Sequence, residues 1–198
     1  MTVIECEIRF LIEDINKFKD HLSTLDHYVV KEYSFTDHIY KPYILTDKWI
    51  DFEKIMRIRT WKHPIKRSEL LFSSITLEKV EDFIFKRSIF PNGKVILFTG
   101  TNEGAAEILK ELDYEPWFQI EKTNGKLIIV KEGDFSFVLE EIKNLGYSVE
   151  IEVWDEDFEK IKNRFTQILG WLNLKKELAN PHTLAWIYFN HTNKKNDK

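Results

Sequence analysis

The chain has 198 residues, 43% hydrophobic and 14% aromatic, enough apolar material for one packed core and too much for a disordered polymer. Its formal net charge of −4 and pI near 5.9 exclude a broadly basic surface that coats nucleic acid, so any anion site must be local. The lone cysteine, Cys6, forms no internal disulfide, and with neither a signal peptide nor an apolar run of bilayer length the expectation is a cytoplasmic protein without a membrane partner.

Taken in chain order, Thr2 to Leu11 alternates apolar and polar residues as a strand does, and a helix follows from Glu13 to about Leu25. Strands are predicted near Tyr28–Phe35, Phe52–Trp61, Leu70–Val80, Phe83–Phe90 and Lys94–Thr99, the last two joined by a Pro91-Asn92-Gly93 turn. Asn102 is placed to cap a helix carrying Ala105, Ala106, Ile108, Leu109 and Leu112 at helical spacing. Asn124-Gly125 reads as a hairpin between Trp117–Lys122 and Lys126–Lys131. Asp134 is predicted to cap a helix over Phe135–Asn144, Tyr147–Val153 to be a strand, and Asp155 to start a helix to about Leu169. The fold class is therefore α+β: a single domain over 1–189, largely antiparallel with helices on the outer face of the sheet, and a polar, disordered tail over 190–198.

The chemistry lies in the alternation. A period of two puts Glu5, Glu7 and Arg9 on one face of the first strand and Ile4, Cys6, Ile8 and Phe10 on the other. Glu150 and Glu152 repeat the pattern between Val149, Ile151 and Val153, and Arg57 and Arg59 alternate with Met56 and Ile58. One such pair alone describes an ordinary half-exposed strand; three matched pairs point to strands closing into a barrel with charge inside and helices outside. Strands lie about 4.8 Å apart and like-facing residues about 6.8 Å apart, so Glu5, Glu7, Glu150 and Glu152 are candidate ligands for a hard cation, magnesium or manganese. No glycine-rich phosphate loop is present, which leaves side chains to hold a polyphosphate. Arg9, Arg57 and Arg59 are the leading candidates because guanidinium grips phosphate bidentately, and Lys79, Lys86, Arg87 and Lys122 are further ones. The histidines lack zinc spacing, and Cys6 falls on the apolar face, against a covalent nucleophile.

Glu5-Cys6-Glu7-Ile8-Arg9, Thr36-Asp37-His38-Ile39-Tyr40, Met56-Arg57-Ile58-Arg59 and Leu145-Gly146-Tyr147-Ser148-Val149-Glu150-Ile151-Glu152, in this order, resemble the motifs of the CYTH superfamily, the triphosphate tunnel metalloenzymes. The resemblance spans most of the chain. It departs from the family pattern at Thr76-Leu77-Glu78 and Lys122-Thr123-Asn124, where basic residues are expected. It implies a tunnel of about eight strands in which Glu5, Glu7, Glu150 and Glu152 hold one or two divalent ions, Glu5, Glu7, Arg57 and Arg59 are catalytic, and the basic residues bind a triphosphate-containing small molecule. The implied activity is metal-dependent hydrolysis of inorganic, nucleoside or thiamine triphosphate. The alternatives are a class IV adenylyl cyclase and a non-catalytic polyphosphate or nucleotide binder, acting as monomer or homodimer.

Overall fold

In the computed structural model, which describes residues 4–47 and 49–196 and the side chains of all but 194–196 of these, the alternation of the first strand becomes a division between two environments. On β1 (Ile4–Ile12) the side chains of Cys6, Ile8 and Phe10 are buried in an apolar layer, while Glu5, Glu7 and Arg9 point to the opposite side. Thr2 and Val3 lie outside the described residues.

Eight further strands follow: β2 (His27–Pro42), β3 (Lys54–His63), β4 (Arg67–Val80), β5 (Phe83–Ser88), β6 (Val95–Gly100), β7 (Tyr114–Val130), β8 (Phe135–Ile142) and β9 (Gly146–Asp155). They form one sheet in the order β3-β2-β7-β8-β9-β1-β5-β4-β6, antiparallel throughout. An additional pairing of β3 with β4 closes the sheet into a ring, leaving only β6 outside it, beside the first half of β4. The expected tunnel of about eight strands with outer helices is the architecture found.

Three helices cover the outside, and the start of a fourth reaches the cavity inside the ring. Asp14 accepts from Lys17 N at 3.0 Å to start α1 (Ile15–Leu22), and Asp157 caps α3 (Phe158–Leu172), which ends where Asn173 adopts φ 52°. Phe18 and Leu22 of α1 and Ile161, Phe165, Ile168, Leu169 and Leu172 of α3 pack on the outward apolar residues of β1, β5, β8 and β9. The Phe165 ring stacks on Phe83 at 5.7 Å. Each such fully buried side chain contributes about 1.5–3 kcal/mol. Ala105 and Leu109 of α2 (Asn102–Glu111) cover Met56, Ile58 and Leu70; its cap is Thr101, one residue before the expected Asn102. Thr183 Oγ1 accepts from Trp186 N at 3.3 Å at the start of α4 (Leu184–Asn196), and Ala185 packs against Ile39, Ile55 and Ile120. The break expected at Asn190 falls inside α4; Asp197 and Lys198 lie outside the described residues. Among the described residues, no helix is long and apolar enough to cross a membrane.

Two local expectations are corrected. Phe135–Ile142 is a strand, because Phe135, Phe137 and Leu139 alternate inward to the outer core and Asp134, at φ 47°, is a turn residue rather than a cap. Asn124-Gly125 makes no hairpin: β7 runs through it, and the missing Cβ of Gly125 makes room for the Tyr33 ring. The Pro91-Asn92-Gly93 turn joins β5 and β6 as expected, end to end along the same neighbour, β4.

Candidate active site

The inward side chains line a cavity of about 260 Å³ inside the ring, with Thr183, Leu184 and Ala185 of the α4 start among its walls. Among its described lining residues are seven basic side chains, Arg9, Lys31, Arg57, Arg59, Lys86, Lys94 and Lys122, and six acidic ones, Glu5, Glu7, Asp37, Glu140, Glu150 and Glu152. The formal excess is one positive charge, too little alone to neutralise a triphosphate.

At one wall, Glu5, Glu7 and Glu152 each present a carboxylate oxygen within 4.8 Å of the others. The register explains it: Glu7 sits opposite Glu152 across β1 and β9, and Glu5 is the next inward residue on β1. Burial, then the charges of Glu152 and Glu7, push the Glu5 carboxyl up to about 7. Glu152 is raised too, by burial and then by Glu7. Burial also works to raise Glu7, but Lys86, in ion contact with it, and Arg9 hold its pKa below the usual range. This hard-oxygen, mutually repelling donor set fits magnesium or manganese. Glu150, expected in the same group, lies opposite Arg9 and forms an ion pair with it instead.

A second cluster draws on β1, β2, β7, β8 and β9. Glu140 is buried and accepts from Arg9 Nη1 at 2.9 Å, from Lys122 Nζ and from Tyr33 Oη at 2.7 Å, while Arg9 Nη1 also donates to Ser148 Oγ at 2.9 Å. Burial opposes the Glu140 charge, but Lys122 and Arg9 outweigh it and hold the carboxyl at about 2. Burial lowers Lys122 to about 8 despite Glu140.

Across the lumen, Arg59 on β3 donates to both oxygens of Asp37 at 2.8 Å, and its guanidinium lies 3.7 Å from the Phe35 ring centroid. Arg57 differs: its Nε is buried without a hydrogen-bond partner, 3.6 Å from Asp37. Burial, with Arg59 adding to it, lowers Arg57 to about 10. Tyr33, Phe35 and Trp61 form an aromatic group on the lining, with Phe35 and Trp61 centroids 4.9 Å apart.

The structure thus brings together Glu5, Glu7, Arg9, Arg57, Arg59, Lys86, Lys122, Glu150 and Glu152 of the expected residues. Two stand elsewhere. Arg87 pairs across the sheet with Cys6, so it faces outward, bonded to Glu78 at 3.0 Å. Lys79 is exposed and is not part of the cavity wall. On β4, Ser73 and Ile75 line the cavity and Glu78 shares the outward side of Phe85. Sequence reading missed Glu140, hidden in a supposed helix whose Phe135-x-Phe137-x-Leu139 alternation was the available signal. It also missed Lys94, which was expected to begin a strand and instead lies in the bend just before β6.

No family model and no curated protein matches the chain. Solved structures do. A conserved hypothetical protein from Pyrococcus furiosus superposes with a TM-score of 0.67 at 22% identity, over 91% of this chain and 97% of that one. A putative adenylate cyclase from Vibrio parahaemolyticus gives 0.62 at 14% identity, over 95% and 99%. A putative adenylyl cyclase from Hippeastrum, described as having a dominant triphosphatase activity, gives 0.50 at 15%, over 87% and 89%. At these identities the likeness establishes the fold alone: these structures share the antiparallel ring with its helices.

Proposed function

We propose that this protein is a divalent-metal-dependent enzyme that hydrolyses a triphosphate inside its tunnel. The observation that carries the reading is one lumen with a carboxylate trio, Glu5, Glu7 and Glu152, on one wall and the guanidinium groups of Arg57 and Arg59 on another. The architecture shared with a putative adenylate cyclase and with an adenylyl cyclase described as a triphosphatase supports it.

Glu5, Glu7 and Glu152 would hold magnesium or manganese, which supplies charge neutralisation and Lewis-acid polarisation at phosphate. Arg57, whose Nε makes no hydrogen bond, grips phosphate oxygens. Arg59, fixed by Asp37, and Lys86 and Lys122 shape the positive potential around them. Cys6 lies outside the lumen and burial pushes its thiol up to about 12, which leaves water as the nucleophile. Water attacks the terminal phosphorus, the bond to the bridging oxygen breaks, and diphosphate leaves. A second reading, cyclisation of a nucleoside triphosphate, is favoured by the ring surfaces of Tyr33, Phe35 and Trp61 in the same cavity.

The test is incubation with tripolyphosphate or ATP and manganese, with products identified by mass spectrometry. Orthophosphate supports hydrolysis and a cyclic nucleotide the second reading. Binding without turnover makes the protein a sensor, and no calorimetric binding of either compound sinks the triphosphate assignment.

A further inference from the structure

We propose that Lys94 is a triphosphate-binding residue, delivered by the β5–β6 connection into the one part of the ring that lacks a lining charge, between the carboxylate trio and Arg57. The inference rests on the triphosphate reading and adds a substrate ligand to it.

Of the eight ring strands, β4 alone places no charged side chain on the described cavity wall; it contributes Ser73 and Ile75. Lys94 is not on a ring strand, yet it lines the same cavity. The chain brings it there through a turn in which Gly93 N–H donates to Phe90 O at 3.0 Å and Gly93 takes φ +70°. A Cβ at Gly93 would fall on the Glu5 carboxylate, so only glycine lets this backbone run directly beside the trio. The next side chain then lines the lumen, where Arg57, Arg59, Glu152 and Glu5 are the charged groups that act on it.

Occupancy separates Lys94 from most of the lumen cations: Arg57 lies 3.6 Å from Asp37, and Lys31, whose ammonium also has no ion pair among the described residues, lies over the Trp61 ring at 5.3 Å. Lys86 is held by Glu7, Lys122 by Glu140, Arg9 by Glu140 and Glu150, and Arg59 by Asp37. Among the described residues no ion pair holds Lys94, so recruiting it to an anion breaks no internal pair. Its ammonium is a compact three-donor charge, suited to non-bridging oxygens that Arg57 leaves free.

The experiment is calorimetric titration of the full chain with tripolyphosphate in the presence of manganese, for wild type, Lys94→Met and Lys94→Arg, with manganese alone titrated separately. Lys94→Met should raise the tripolyphosphate Kd about tenfold or more, the scale of one lost charged hydrogen bond. Manganese affinity should hold or tighten, because a cation beside Glu5 and Glu152 has gone, and Lys94→Arg should recover most of the loss. Unchanged tripolyphosphate affinity in Lys94→Met overturns the proposal. So does weakened manganese binding, which would make Lys94 a prop for the trio, or an equal loss in Lys94→Arg, which would make the effect one of packing. If Arg57→Ala weakens binding while Lys94→Met does not, only Lys94 is misassigned; if wild type itself fails to bind tripolyphosphate, the triphosphate reading falls with it.

Discussion

Along the nine-residue β1, Cys6, Ile8 and Phe10 face α1 and α3 while Glu5, Glu7 and Arg9 face the lumen, so neighbouring residues on one backbone are held by different forces. The outer face gains stability from non-directional burial that needs only shape and volume. The inner face buries charges whose mutual attraction roughly offsets their desolvation, so its net contribution to folding is small even though breaking one pair is costly. The outside makes the ring; the inside spends that stability holding repelling carboxylates and a guanidinium with a buried Nε that makes no hydrogen bond where foreign ions can satisfy them.

The comparison is tested first where the effect is largest. Phe165 is fully buried against Phe83 and Phe85, and Phe165→Ala should cost about 3–5 kcal/mol in urea unfolding. The folded fraction should still bind tripolyphosphate as wild type does. A loss of affinity in folded Phe165→Ala protein would show that the two faces are not separable.

On the inner face, Glu140→Gln leaves Arg9 and Lys122 without their shared carboxylate and should destabilise by about 3 kcal/mol. Urea unfolding reads this directly. A change under 1 kcal/mol would mean that the lumen cations redistribute onto Glu150 and Glu7 at little cost.

The same contrast explains what the sequence could reveal. Where a strand buries one apolar face under helices and carries charge on the other, as in β1, β3 and β9, period two displays both faces, and Glu5, Glu7, Arg57, Arg59 and Glu152 were legible. Glu150 was legible as a lumen residue but not as the partner of Arg9, because cross-strand register is a tertiary property. On β4 the rule inverts locally: Ile75 faces the lumen while Thr76 and Glu78 face out. There Arg87, which bonds Glu78, lies over the Phe158 ring at the edge of the outer core. Lys94 was missed because, expected as the first residue of a strand, it lies in the bend before β6, where strand periodicity does not apply and the passage of Gly93 beside Glu5 brings it to the lumen.

A pH-dependent prediction isolates the trio. Glu5 is raised from 4.5 to about 7, so the metal-free folded state keeps a proton that the unfolded chain releases. Its contribution to stability therefore falls as pH rises from 4.5 through about 7, when the charge appears beside Glu7 and Glu152. Glu5→Gln stays neutral throughout. In chelator, its melting temperature should match wild type near pH 5 and exceed it by a few degrees near pH 8, while manganese should stabilise wild type more than the variant. A melting-temperature difference that does not change with pH would remove Glu5 as the titrating group.

The smallest effect is expected at Glu78. By composition alone, a glutamate two residues from Thr76 on a barrel strand is a candidate to oppose an anion in the lumen, and a lysine there should tighten triphosphate binding. The register assigns it to the other side: Glu78 lies opposite Phe85, whose ring is buried in the outer core, and its carboxylate meets Arg87 at 3.0 Å with about a third of each side chain exposed. Glu78→Lys therefore replaces a partly screened outer ion pair by a like-charge contact, worth about 0–1 kcal/mol of stability. The sheet backbone stands between that charge and the cavity, so the tripolyphosphate Kd should stay within about twofold, less than the 1.4 kcal/mol of a tenfold change. Paired calorimetric titrations of wild type and Glu78→Lys decide it. A several-fold gain in affinity would mean that β4 slips by one residue in solution, turning Glu78 inward and Ser73 and Ile75 out, and would return β4 to the list of strands that line the tunnel with charge.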